Sequence, residues 1–334
     1  MLKFAVRRLL LLIPILFGLS ILVFLFVRAL PGGPETALLG ERSTPERIAQ
    51  VRAAYGLDRP VHEQYFTYMG KVAQLDFGTS IITQQPVSEE ISRRFKATVE
   101  LTTTAILFAI VVGIPLGFVA GRRPQSWIDN LSTVGSLLGI AIPVFVLGFL
   151  LKYVFAIKLG WFETTGRQNV TITTEHPTGF FVLDGIITGD FAAAWDAFKH
   201  LVLPAAALGT IPLAIITRIT RAAVQEVSNE DFVRTAEAKG MTKSVVTRRH
   251  ILRNAMLPVV TIIGLQTGLL LSGAILTETV FAFGGLGSFM ADAVFRRDFP
   301  VIQGGILFIA VVFVVVNLLV DISYGLFDPR VRDT

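Results

Sequence analysis

Six stretches of this chain are apolar over roughly the 20 residues that a helix needs to cross a bilayer. They fall at about 9–30, 99–120, 131–157, 201–219, 257–281 and 302–326. Charge is segregated between them. Only 16% of the 334 residues are charged and 52% are hydrophobic, against about 25% charged in an ordinary soluble domain. The expected fold is an all-α polytopic membrane protein with six transmembrane helices. The net charge of +5 then reports topology and gives no reason to expect a nucleic-acid partner.

The N-terminus, "MLKFAVRRLLLLIPILFGLSILVFLFVRALPGG", has the basic start of a signal peptide. Its apolar run is longer than a signal core, and no A-x-A follows it. It is read as a retained first span. Several spans carry Pro or Gly, among them Pro14, Gly113, Pro115, Gly117, Pro143, Pro204, Pro212, Gly264 and Gly268. Such residues serve close helix packing, or kinks that line a pathway. The composition leaves both open.

Lys and Arg near span ends set orientation. With the N-terminus in the cytoplasm, the inner segments are about 1–8, 121–130, 220–256 and 327–334, and both termini are cytoplasmic. The outer segments are about 31–98, 158–200 and 282–301. Three regions follow: a first tip and span at 1–30, an outer helical segment at 31–98, and a five-helix core at 99–334. In the outer segment, Thr44-Pro45-Glu46 opens one short helix. Asp58-Arg59-Pro60 opens a second through Tyr65 and Val72, and Ser88 caps a third that puts Ile91 and Phe95 on one face. Residues 163–193 read as an irregular, Thr-rich outer loop with room for a hairpin.

No catalytic constellation is present. There is no Cys, no metal spacing among His62, His176, His200 and His250, and no P-loop. "FGGLGSF" at 283–289 lacks the strand and the Lys of a phosphate loop. Arg28 and Lys152 sit where they can snorkel. Glu278 and Asp321 lie near span ends and are read as solvated or paired rather than as functional membrane acids.

One charged stretch interrupts the oily chain: "EVSNEDFVRTAEAKGMTKSVVTRRHILRNAMLP" at 226–258. Ser228 or Asn229 caps a helix with Glu230 and Asp231 in its first turn. The helix continues through Phe232, Val233, Arg234, Thr235, Ala236, Glu237, Ala238 and Lys239, and Gly240 suits a left-handed end. Thr242 caps a second helix, and Leu257-Pro258 starts the next span. The arginines of the second helix suit anionic lipid. The acids and the small residues Thr235, Ala236 and Ala238 of the first suit a protein groove.

This stretch resembles the cytoplasmic signature loop of ABC importer permeases, in the dipeptide/oligopeptide branch. Arg234 stands at the Glu of the general Glu-Ala-Ala signature and Thr235 at its first Ala, while Ala236 and Gly240 match. "RRLLLLIPILFGLSILVFLFVRALPGGP", "YGLDRPVHEQYFTYMGKVAQLDFGTSI", "HLVLPAAALG", "ETVFAFGGLGSF" and "VNLLVDISYGLFDPRVR" are similar to the same branch in the same order.

The resemblance implies the type I importer permease fold and a non-catalytic subunit in a prokaryotic cytoplasmic membrane. It implies a second permease chain, two ATPases that bind the ATP and Mg, and an external peptide-binding protein. Residues Glu230 to Gly240 would couple to an ATPase. The cargo it implies is a di- or oligopeptide, with nickel complexes, glutathione or another small solute as alternatives. A self-sufficient secondary transporter is the rival class.

Overall fold

The computed structural model describes residues 2–29, 58–272 and 274–327, with isolated positions between 44 and 53. The described chain is helical throughout: α1 (Leu2–Ala29), α2 (Val61–Val72), α3 (Val87–Arg122), α4 (Trp127–Ala141), α5 (Val144–Leu151), α6 (Phe181–Ile187), α7 (Phe191–Ser228), α8 (Asp231–Ala238), α9 (Arg253–Ser272), α10 (Ile275–Val280), α11 (Leu286–Arg296) and α12 (Phe299–Phe327). The side chain of Asp321 and the C-terminal segment 328–334 lie outside the described residues.

The frame is the crossing of α3 and α7. They have 36 and 38 residues. At 1.5 Å per residue each is over 50 Å long, roughly, well beyond a hydrocarbon core of about 30 Å. Each is therefore longer than such a core is thick. Glycine lets their backbones touch. A Cβ on Gly117 would lie 2.5 Å from the Thr217 carbonyl oxygen, one on Gly121 2.8 Å from that of Arg221, and one on Gly209 2.8 Å from that of Ala105. At these glycines the purpose is close approach.

Four helices among the described residues are long and apolar enough to cross a membrane: Val87–Arg122, Phe191–Ser228, Lys243–Leu271 and Phe299–Leu319. A fifth follows if Trp127–Ala141 and Val144–Lys158, bent by 103°, form one span. Ile13–Ala29 is a shorter apolar helix. The stretch 131–157 is thus broken, where the sequence suggested a continuous helix. Pro143 forces the residue before it out of the helical region, and Ile142 sits at φ −82°, ψ 123°.

The expected span at 257–281 also shifts. Its helix begins at Lys243–Val245, passes through a π-helical segment at Val246–Leu252, and continues as α9 with Pro258 inside it. The arginine-rich stretch is the foot of a span, and no separate helix precedes Pro258. Residues 275–280 belong to the separate α10.

Most of 31–57 lies outside the described residues; the rest of the segment 31–98 keeps part of its expected form. The Ile48 amide donates to the Thr44 carbonyl at 2.9 Å, one turn of helix. Pro60 occupies the N-cap of α2, and Tyr65 of α2 shares a 2.6 Å hydrogen bond with Ser20 of α1. Ser88 is not a cap. Pro86 holds that position, and the third helix is the start of α3 itself. Ile91 and Phe95 do face one apolar cluster, with Val27, Phe289 and Ile302. The loop expected to be irregular over 163–193 is so only over 163–180 and holds no hairpin there; α6 and the start of α7 at Phe191 occupy most of the rest.

Arg28 and Lys152 turn inward. Arg28 donates from Nε to Gln64 Oε1 at 3.0 Å, and Lys152 Nζ donates to the Val280 carbonyl at 3.1 Å.

Candidate functional site

The loop at 229–242 forms a compact helix lying across the end of the bundle. Ser228 ends α7, its hydroxyl donating to the Val224 carbonyl at 2.6 Å, so it caps nothing. Glu230 takes the N-cap of α8 in extended conformation, without a side-chain bond. Asp231 follows in the first turn, where a negative charge meets the positive end of the helix.

The other end closes as the sequence suggests. Gly240 has φ +76°, the Met241 amide donates to the Ala236 carbonyl at 3.3 Å, and the Gly240 amide donates to Glu237 at 2.9 Å. These two bonds define a Schellman termination. A Cβ on Gly240 would meet nothing within 4 Å, so only its backbone angle, within this chain, requires glycine. Thr242 occupies the N-cap of the next turn but makes no side-chain bond there.

Two residues seat α8. Val233 and Ala236 are buried with Ala223 and Val224 of α7, Val246 and Ile251 of the π segment, and Ala255 of α9. Phe118 of α3 packs against the same cluster. Full burial of a valine contributes about 1.5–3 kcal/mol, so the seat is light, yet it touches the ends of three long helices. Phe232, Arg234, Thr235, Glu237, Ala238, Lys239 and Gly240 are exposed, as are Glu230 and Asp231. Of the small residues in the loop, Thr235 and Ala238 face outward and Ala236 faces the chain.

The opposite end of the bundle is built differently. Glu278 is fully buried, against the sequence expectation of a solvated or paired acid. It has no cation partner among the described residues. Its Oε1 accepts from Thr98 Oγ1 at 2.6 Å, and its Oε2 accepts from the Ser288 amide at 2.8 Å. Thr98 Oγ1 in turn accepts from the Leu286 amide at 2.8 Å. Two side chains from elsewhere thus satisfy the first orphan amides of α11. Gly285 and Gly287 make room, since a Cβ on Gly285 would lie 2.2 Å from Glu278 Oε1.

Beside this knot lies a cleft of about 1420 Å³, lined by Glu89, Glu90, Arg93, Arg94, Lys96, Arg167, His176 and Phe181 among others. Sequence reading did not find it. Its residues come from α3 and the turn before it, the irregular loop, the start of α6 and the turn before α11, and only folding brings them together.

The pattern of the family described as "Binding-protein-dependent transport system inner membrane component" matches residues 113–333, and that of its N-terminal region matches residues 1–102. The chain belongs to this family. A dipeptide transport system permease of Alkalihalophilus pseudofirmus is 46% identical over 332 residues, covering 99% of this chain and all of that one. The dipeptide transport system permease of Escherichia coli K12 is 46% identical over 336 residues, with 99% of each chain covered. The glutathione transport system permease of the same strain is 40% identical over 332 residues, again covering 99% of each. As a member of the binding-protein-dependent family, this chain is a multi-pass inner-membrane permease subunit of an ABC importer. Its role is transport, and the energy source lies in other subunits.

Proposed function

We propose that this permease carries di- or oligopeptides and that α8 is the coupling helix by which an ATPase moves it. The complex we infer contains a second permease chain, two ATPases and an external peptide-binding protein. The peptide assignment rests on the two dipeptide relatives at 46% identity, against 40% for the glutathione relative. In this reading α1 is the first of six spans, both termini are cytoplasmic, and the regions divide at 1–30, 31–98 and 99–334.

The observation that carries the coupling role is the two-faced character of α8. Its inner face grips α3, α7 and the foot of α9 through one apolar cluster. Its outer face is free, with Phe232 42% exposed and Thr235 and Ala238 leaving room for an approaching surface. A push on α8 therefore acts on three spans at once. An ATPase pair that closes on ATP has a handle on the equilibrium between inward-open and outward-open states.

The absence of cysteine makes the test clean. In the assembled complex, T235C and A238C are expected to cross-link to a single-cysteine ATPase subunit, and A236C is not. Cross-linking from position 236 alone would reverse the assignment of faces. None from any of the three would remove the coupling role.

A further inference from the structure

The cleft at the outer end is chemically built. Phe181 is sandwiched, with the His176 ring stacked on it at 3.7 Å and the Arg167 guanidinium carbon 3.8 Å from its centroid. Arg167 donates to Glu100 Oε2 at 2.5 Å and to the Gly179 carbonyl at 2.8 Å. Gly179, at φ +81°, leaves space that the Lys96 side chain occupies, for a Cβ there would lie 2.7 Å from Lys96 Cδ. Lys96 and Arg167 thus meet over one glycine.

The charges are unequal in their partners. Arg93 and Arg94 both bond Glu90, and Arg167 bonds Glu100. Lys96 makes no ion pair among the described residues, though it lines the cleft. Arg167 Nε is also buried without a hydrogen-bond partner, whereas His176 Nδ1 lies 3.7 Å from the Asp184 carboxylate. Buried donors are ordinarily satisfied, so this corner has capacity for an anion. A planar carboxylate suits it.

We propose that this cleft receives the C-terminal carboxylate of the peptide, held by Lys96 beside the Arg167–Phe181–His176 stack. The proposal rests on the peptide reading and adds a recognition site within the permease. A charge-assisted hydrogen bond contributes about 1.5–3 kcal/mol, which corresponds to roughly tenfold or more in affinity.

The test measures uptake by the complete complex in proteoliposomes, at subsaturating concentration, of a dipeptide and of the C-terminal amide that the wild type carries best. The binding protein's own preference is common to all variants and cancels in the ratio. Lys96→Ala is expected to lose about tenfold on the free dipeptide and under twofold on the amide. Lys96→Arg is expected to keep the wild-type ratio and so excludes a folding defect. Equal losses on both peptides would make the cleft a protein-docking surface or a structural prop and overturn the proposal, as would no loss on either. A wild-type complex that imports no peptide overturns the peptide reading itself, a result distinct from equal losses in the variant.

Discussion

The two ends of the bundle hold their key elements by opposite means. The α8 helix is seated by a few small apolar side chains and closed by a glycine. The knot at the other end is fixed by buried polar groups, with Glu278 and Thr98, 180 residues apart in sequence, bonded to each other and capping α11. Apolar seats are non-directional and tolerate sliding. Buried hydrogen-bond networks have one satisfied arrangement and penalise every other. On the proposed coupling role, the contrast suits a handle that follows an ATPase while the opposite end stays in register.

The largest expected effect breaks the rigid end. Glu278→Ala leaves the Thr98 hydroxyl and the Ser288 amide buried without their acceptor. Each orphaned group costs about 1–3 kcal/mol. The purified complex is expected to melt well below wild type, with less permease in the membrane. Glu278→Gln retains one acceptor oxygen and should fall between. An unchanged melting temperature for Glu278→Ala would deny the rigid end its hydrogen-bonded character.

Next is the shared frame. Gly117→Ala places a carbon 2.5 Å from the Thr217 carbonyl oxygen, so α3 and α7 must part. Overpacking of this kind costs about 1–3 kcal/mol. Because the frame joins both ends, melting and uptake are expected to fall together. Loss of uptake with full thermal stability would assign the glycine to the pathway instead.

The apolar end should respond in function before stability. Gly240→Val forces a β-branched residue to φ +76°, where left-handed backbone costs roughly 1–2 kcal/mol. Gly240→Asn tolerates that angle but still adds a side chain, and nothing in this chain obstructs it. Uptake per ATP hydrolysed separates the causes. If only the turn matters, Val uncouples and Asn does not. If an ATPase surface also lies against this glycine, both uncouple. Normal coupling in both variants would remove Gly240 from the handle.

What the sequence disclosed follows the range of the interactions. The glycine that ends α8 is local, and its left-handed turn was legible from Lys239-Gly240 alone. The small-residue stripe was half legible: Thr235 and Ala238 face outward, but Ala236 is buried because α8 packs on α7 and the π segment. Pro143 was visible, whereas the 103° bend was not, since many membrane helices carry proline without breaking. Glu278 misled for a physical reason. An acid near a span end is ordinarily solvated, and here its partners, Thr98 and the α11 amides, are supplied by tertiary structure. The outer cleft was invisible for the same reason, because Lys96, Arg167 and Phe181 meet only in the fold.

The smallest expected effect concerns the loop that walls the cleft. Asp184 is buried there. Burial by itself raises its pKa, but hydrogen bonds from the Thr178 hydroxyl and amide and the Gly179 amide, with His176 nearby, outweigh that and hold the carboxyl below its usual range. A depressed carboxyl stabilises the fold above the unfolded value of about 3.9. That contribution is lost as pH falls through the lower folded value. The loop is therefore expected to stay protease-resistant at neutral pH and to open on acidification below about 4. Asp184→Asn removes the titration, so the acid-dependent part of the opening should vanish, while some resistance is lost at every pH because the Gly179 amide loses its acceptor. If the variant opens with the wild-type acid profile, the polar network at this end is held by some other group, and the contrast with the apolar inner seat must be drawn around that group.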